Sequence, residues 1–243
     1  MKVLTLDFWE TLYKHRGTAE FRAKERQRLL LDYCTRSGLA EPQRLALTAF
    51  DVVDGFIKAS WKHGVCPLPE LVLEHATAYY QNQYSAETIT GVIEEINHIY
   101  TAILKPDLFM GAAEFLTWAQ LEMPLYLISD TYTIRGVTLD AVLNADGLLG
   151  LFKGRFYSDA VGFEKPNVEA MRQIISSEHV NPTEVIHVGD LVDRDYELAR
   201  RVGCRCILIR HKESVLPMDL DNRVLISVCN SFTEVRRVLE ENE

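Results

Sequence analysis

The sequence predicts an α/β fold, a doubly wound parallel sheet interrupted near its start by an all-helical insertion. Three observations predict it. Four short apolar runs, at 2–6, 124–129, 184–188 and 205–209, are bounded by polar or turn residues, the texture of strands buried on both faces. Helical patterns over 110–121, 133–144, 167–178 and 192–202 alternate with the later runs, the order of a parallel sheet wound with helices. Between the first run and the second lies a long stretch with helical spacing and no convincing strand.

The first strand, VLTL, ends on Asp7 and turns into Phe8-Trp9-Glu10-Thr11. In the stretch that follows, Leu45, Ala49, Val52, Val53, Phe56, Ile57 and Trp61 recur at helical spacing. Val92, Ile93, Ile96, Ile99, Tyr100 and Ile103 do the same. This predicts an insert of about four helices. Turn residues cluster near Lys14–Gly17 and Lys105–Gly111, so the expected domains are 1–16 with 105–243, and 17–104.

The run PLYLIS ends at Ser129-Asp130, and EVIHV runs into Gly189-Asp190 with Asp195 five residues on. Gly162-Phe163-Glu164-Lys165-Pro166 reads as a loop stiffened by proline before the next helix.

Composition narrows the function classes. The chain has 243 residues, 47% of them hydrophobic and 25% charged, with net charge -9. That is ordinary globular composition. An acidic chain without a basic stripe has no general attraction for nucleic acid or anionic membrane. No apolar run approaches membrane-spanning length, and MKVLTLD is too short a lead-in for a signal peptide. The five scattered cysteines, Cys34, Cys66, Cys204, Cys206 and Cys229, read as buried thiols in a reducing compartment. A cytoplasmic location is expected.

Ligands of open α/β sheets bind at the carboxyl ends of the strands. Asp7, Asp190 and Asp195 converging there would repel one another and raise their pKa values. A divalent cation relieves this, and an all-oxygen set suits magnesium. Ser129 and Lys165 add a hydroxyl and a positive charge, a place for a tetrahedral anion beside the metal. With Asp7 as nucleophile the set describes phosphoryl transfer through an aspartyl phosphate.

Each piece alone has a plainer reading. Ser-Asp after a strand is commonly a helix cap, Lys165 a solvated loop lysine, His187 a satisfied core histidine and Asp193 the start of a helix over 194–202. Their joint occurrence in order carries the argument.

That order resembles the haloacid dehalogenase superfamily. Asp7 with Thr11-Leu12 resembles its first motif, Ser129 in LYLISD its second, Lys165-Pro166 its third, and Gly189-Asp190 with Asp195 its fourth. The insert after the first motif is similar to the family's helical cap of the first type. The resemblance implies a Rossmann-like three-layer α/β/α core under that cap, and a magnesium-dependent phosphatase. It assigns the metal to Asp7, the Trp9 carbonyl, Asp190 and Asp195. It assigns the phosphoryl group to Ser129 and Lys165. Asp130 and Trp9 are further candidate substrate-binding residues, Trp9 by stacking on an aromatic or sugar-like substrate.

Trp9 departs from the family pattern. Phosphatase relatives have a second aspartate there that moves the proton of the leaving group, and its loss typically costs about 10²–10⁴ in rate. Substrates with good leaving groups tolerate the loss, and Glu10, Asp130 or a cap residue are candidate substitutes. Two alternatives stay open: a 2-haloacid dehalogenase, which needs no such acid but has no use for the paired fourth-motif acids, and a slow phosphate-binding regulatory protein. Arg16, Arg22, Lys58, Trp61, Lys62 and His63 are candidate cleft residues of the cap. The expected partner is a small phosphorylated molecule, and the chain is expected to be a monomer or homodimer. A smaller departure is Leu198, where relatives often carry glycine.

Overall fold

The computed structural model describes residues 2–60, 67–79, 84–211 and 220–242. Trp61, Lys62, His63 and Cys66 lie outside the described residues, as does the Lys58 side chain.

The fully buried strand β1 (Val3–Leu6) forms the centre of the sheet. Around it stand β4 (Leu125–Ser129), β5 (Gly154–Tyr157), β6 (Val185–Gly189), β7 (Arg205–Ile209) and β8 (Leu225–Cys229). Their order is β5-β4-β1-β6-β7-β8, and every pairing is parallel. The chain winds outward from β1 through β4 to β5, then crosses back to β6 on the other side of β1. This reversal opens a crevice at the carboxyl ends of β1 and β6, where ligands bind in such sheets. Asp7 and Asp190 directly follow those two ends.

Residues along each strand alternate between two cores. Leu4, Leu6, Leu125, Leu127, Ile186, Val188, Ile207 and Ile209 share one. It is covered by α6 (Ala112–Glu122), α7 (Gly136–Ala145) and α11 (Phe232–Glu241). Val3, Tyr126, Ile128, Val185, Cys206 and Leu208 share the other, under α9 (Glu169–Glu178) and α10 (Glu197–Val202). The short α8 (Ser158–Val161) directly follows β5. Leu198 is fully buried in this second core. The result is a three-layer α/β/α arrangement.

The insertion contains α1 (Ala19–Arg36), α2 (Pro42–Leu47), α3 (Val53–Ser60), α4 (Pro69–Tyr79) and α5 (Ala86–Ala102). The described residues of the insertion thus hold five helices where about four were expected, because a π-helical turn at Thr48–Val52 divides α2 from α3. Local chemistry starts the long ones. Thr18 accepts the Phe21 N–H (3.1 Å) ahead of α1, and Ser85 accepts the Thr88 N–H (3.1 Å) ahead of α5. The chain leaves and re-enters the sheet domain through an antiparallel ribbon of β2 (Tyr13–Lys14) and β3 (Asp107–Leu108). Asp146 ties both crossings to the end of α7, accepting the Tyr13 hydroxyl (2.9 Å) and pairing with Lys105.

The four expected strands are β1, β4, β6 and β7. β5 and β8 carried too weak a signal to be expected: GRFY holds glycine and arginine, and both strands are edge strands, mostly half-buried. The pattern at 192–202 resolves into a π-helical turn, Val192–Tyr196, leading into α10, with Asp193 exposed in its first turn. Cys34, Cys204, Cys206 and Cys229 are buried free thiols. No described helix is long and apolar enough to cross a membrane.

Candidate active site

Asp7 is placed by the sheet. Its N–H donates to Val188 O (2.9 Å), carrying the ladder one residue past β1. The next residues fold into a tight turn, in which Phe8 O accepts the Leu12 and Tyr13 N–H groups (3.0 and 2.9 Å). Phe8 is buried and stacked on Tyr13 at 4.5 Å. Glu10 completes the turn with a left-handed backbone, φ 53°, unusual for a residue with a Cβ. Its N–H donates to Tyr13 O (2.7 Å), and its carboxylate accepts the His15 N–H (3.2 Å). Thr11 Oγ1 donates to Asp7 Oδ2 (3.4 Å).

Lys165 Nζ bridges two carboxylates, 2.6 Å from Asp7 Oδ1 and 2.6 Å from Asp195 Oδ1. Burial alone would pull its pKa down, but Asp195, Asp7 and Asp130 outweigh it and hold the ammonium charged. Asp195 is fully enclosed: Oδ1 also accepts His187 Nε2–H (3.0 Å), and Oδ2 accepts the Asp190 and Leu191 N–H groups (3.1 and 2.9 Å). Burial opposes its ionisation, yet Lys165 and His187 keep the carboxyl well below the usual range. His187 is the satisfied core histidine expected: burial lowers its pKa, and Nδ1 accepts the Thr5 hydroxyl at 2.8 Å. Gly189 is needed for space. A Cβ there would lie 2.1 Å from Asp195 Cγ.

Ser129 ends β4 and is 1% exposed. The Asp130 carboxylate, a candidate substrate group, braces the Lys165 loop. Its Oδ1 accepts the Lys165 N–H (2.9 Å), and its Oδ2 accepts Arg194 Nη1–H (3.0 Å). Arg194 also reaches Lys165 O (2.7 Å) and Glu164 (3.3 Å). Arg194 and Glu164 are both buried, and the lysine's backbone is therefore held at both its N–H and its C=O. Sequence reasoning passed over both residues, because nothing in a charged residue's spacing says that it is buried.

Trp9 is half-buried. Its ring stacks on His15 at 4.4 Å and meets Phe8 edge-on at 4.9 Å. Arg16 and Arg22 direct their guanidinium groups to backbone carbonyls, of Ile103 (3.5 Å) and of Gly17 (2.7 Å).

A family model described as haloacid dehalogenase-like hydrolase matches residues 1–203. The chain belongs to the haloacid dehalogenase-like hydrolases. Haloacid dehalogenase-like hydrolase domain-containing protein 3 of Bos taurus is 31% identical over 84 residues, 35% of this chain and 34% of that one. The chain thus matches about a third of that relative's length. A 2-haloacid dehalogenase from Pseudomonas syringae pv. Tomato DC3000 shares the fold over 100% of both chains, at TM-score 0.69 and 19% identity. An HAD phosphatase from Thermococcus onnurineus does so over 98% of each, at TM-score 0.62 and 17% identity.

The haloacid dehalogenase-like hydrolases commonly use Mg²⁺, and this member has an oxygen cluster that fits it. Ligand atoms of Asp7, Asp190 and Asp195 lie within 4.8 Å of one another. Burial, then repulsion by Asp7 and Asp195, pushes the Asp190 carboxyl up to about 8. Burial does the same to Asp7, to about 7, against the pull of Lys165. Three carboxylates facing one lysine leave an excess of negative charge that a divalent cation removes. No hydrogen-bond donor among the described residues reaches the Asp190 side chain.

Proposed function

We propose that this member is a magnesium-dependent phosphohydrolase that acts on a small phosphorylated metabolite through an aspartyl phosphate at Asp7. The observation that carries the reading is the Lys165 bridge between Asp7 and Asp195 (2.6 Å each), beside an Asp190 carboxylate that no donor among the described residues reaches. A lysine so placed keeps Asp7 oriented and partly neutralised, ready to meet an anionic phosphoryl group.

Asp7, Asp190, Asp195 and the Trp9 carbonyl are the groups that would hold Mg²⁺. When bound, the ion supplies positive charge for the transferring phosphoryl oxygens. One Asp7 oxygen attacks phosphorus, the P–O bond to the leaving group breaks, and the leaving oxygen departs with the bonding pair. Ser129 and Lys165 hold the phosphoryl oxygens during transfer, while Asp130 and Arg194 hold Lys165. Water then attacks phosphorus, releasing phosphate and restoring the Asp7 carboxylate. The helical segment 17–104 acts as a cap over the core formed by 1–16 and 105–243, excluding bulk water and setting the size of the substrate.

Trp9 cannot carry a proton, so the preferred substrates are those whose leaving group departs as a stable anion, such as acyl or aryl phosphates. The same residue favours a second reading, dehalogenation, in which a halide leaves without a proton. The Pseudomonas syringae protein that shares this fold is a 2-haloacid dehalogenase by name.

Phosphate release from acetyl phosphate, an aryl phosphate and several alkyl phosphates decides between them. Each is run with Mg²⁺, with chelator and with Asp7→Asn. Turnover that requires both Mg²⁺ and Asp7 and favours the better leaving groups supports the phosphohydrolase. Halide release from 2-haloacids, with no phosphate release from any ester, overturns it.

A further inference from the structure

The helical insertion grips the loop that follows Ser129-Asp130 through one asparagine. Asn97 lies on α5 beside the buried residues Ile93, Ile96 and Tyr100. Its amide nitrogen donates to Ile93 O (2.7 Å) and to Thr133 O (3.0 Å). Its amide oxygen accepts the Arg135 N–H (2.9 Å) and the Thr138 hydroxyl (2.5 Å). A side-chain amide has two donors and two acceptor lone pairs, and here all are used.

The three partners outside α5 lie on the stretch that runs from Asp130 into α7. That helix has no side-chain cap from its own N-cap residue, Arg135. Its leading N–H groups are satisfied from elsewhere: Arg135 by Asn97 of the insertion, and Gly136 by Asp159 Oδ1 (3.1 Å) of the sheet domain. Glu70 of α4 pairs with the Arg135 side chain. The other end of the stretch is fixed within the sheet domain, where Thr131 Oγ1 donates to Asp159 Oδ1 (2.7 Å) and the Thr131 N–H donates to Ser158 Oγ (2.8 Å). The stretch beside Ser129-Asp130 is therefore held jointly, by the sheet domain at Thr131 and by the insertion at Thr133–Thr138.

We propose that Asn97 is a positioning residue: docking of α5 on α7 through its side chain holds residues 130–138, among them the Asp130 that braces Lys165, and so the affinity of Ser129 and Lys165 for a phosphoryl group depends on the docked insertion. Only the identity of the ligand rests on the phosphohydrolase reading. The coupling of insertion to loop stands on the hydrogen bonds. Displacing α5 would take from the Arg135 N–H and the Thr133 carbonyl the bonds that Asn97 makes to them. That cost favours the docked state.

The test uses the full chain with Asn97→Ala. Thr138→Val serves as a second variant that removes one bond from the sheet-domain side and leaves α5 intact. Backbone hydrogen exchange is measured with saturating Mg²⁺, as are the Kd for inorganic phosphate and the KM and kcat for an aryl phosphate. For Asn97→Ala we expect exchange of the Arg135 amide to speed up about tenfold or more while β1 and β6 amides keep their rates. The phosphate Kd and the KM should each rise about tenfold, equivalent to about 1.4 kcal/mol, with kcat within about twofold. Thr138→Val should change the same quantities in the same direction by less. Wild-type exchange at Arg135 in a folded Asn97→Ala protein overturns the proposal. So does faster exchange spread evenly over the sheet, or local exchange without loss of phosphate affinity. Should wild type neither bind phosphate nor turn over any phosphate ester, the phosphohydrolase reading falls, and the exchange at Arg135 alone decides the coupling.

Discussion

Replacing Gly189 by alanine isolates the packing of Asp195 against the strand that precedes it. The backbone there is ordinary strand, paired with Leu208, so alanine meets no conformational penalty. The new methyl would stand 2.1 Å from Asp195 Cγ and 2.4 Å from its Oδ2. Asp195 must therefore retreat by about 1 Å or more to reach normal contact distances. Retreat stretches every bond the carboxylate makes: the Lys165 bridge at 2.6 Å, His187 at 3.0 Å, and the Asp190 and Leu191 N–H groups at 3.1 and 2.9 Å. Breaking a buried ion pair costs about 3–5 kcal/mol. A loss of about 3 kcal/mol in a chain of this length lowers the melting temperature by roughly 6–12 °C.

Differential scanning calorimetry of Gly189→Ala beside Gly150→Ala, where nothing lies within 4 Å of the new methyl, separates this clash from a general effect of alanine. A double-mutant cycle sharpens the comparison. Once Asp195→Gly has removed the whole side chain, including the Cβ that would lie 2.5 Å from the new methyl, adding Gly189→Ala should cost less than about 0.5 kcal/mol, because the two changes act on one contact. A Gly189→Ala protein that melts within about 2 °C of wild type, less than the shift expected for even 1 kcal/mol, would refute the reasoning, as would additive effects in the cycle.

Other outcomes follow from the same geometry. Without metal, the raised carboxyls of Asp7 (about 7) and Asp190 (about 8) make the folded chain hold protons that the unfolded chain has released. Their contribution to stability is full below the unfolded carboxyl pKa and is lost as pH rises through both values. Mg²⁺ should accordingly raise the melting temperature more at about pH 8.5 than at about pH 6, and an equal rise at both would contradict the assignment of these acids to the metal. Arg194→Met takes a buried guanidinium away from both Asp130 and Glu164, so urea denaturation should show a loss of about 3 kcal/mol. Glu10→Asn puts a residue tolerant of the left-handed region at φ 53° and keeps a side-chain acceptor, which should stabilise by about 0.5–1 kcal/mol in the same assay.

Much of this was legible in the chain. Four runs of buried residues and the helical patterns between them define the parallel sheet, because a strand covered on both faces must be apolar throughout. Carboxylates and a hydroxyl at strand ends mark the crevice, because strand direction alone brings Asp7, Ser129 and Asp190 to one rim. The turn after Asp7 was legible too, in part: Trp9 stands out as a departure before any coordinates are known.

Other features arise from contacts between segments distant in sequence. Arg194 and Glu164 are ordinary charged letters until the Lys165 loop closes over them, and no periodicity records that closure. The edge strands β5 and β8 have weak patterns because an edge is only half covered. The start of α7 has no local cap, since its N–H groups are met by Asn97 and Asp159 from elsewhere in the chain. The chain by itself determined which chemistry stands at the strand ends, since apolar pattern and strand polarity are local properties. Only the tertiary structure decided which side chains restrain that chemistry, because a hydrogen bond between distant segments exists only when both are held in place.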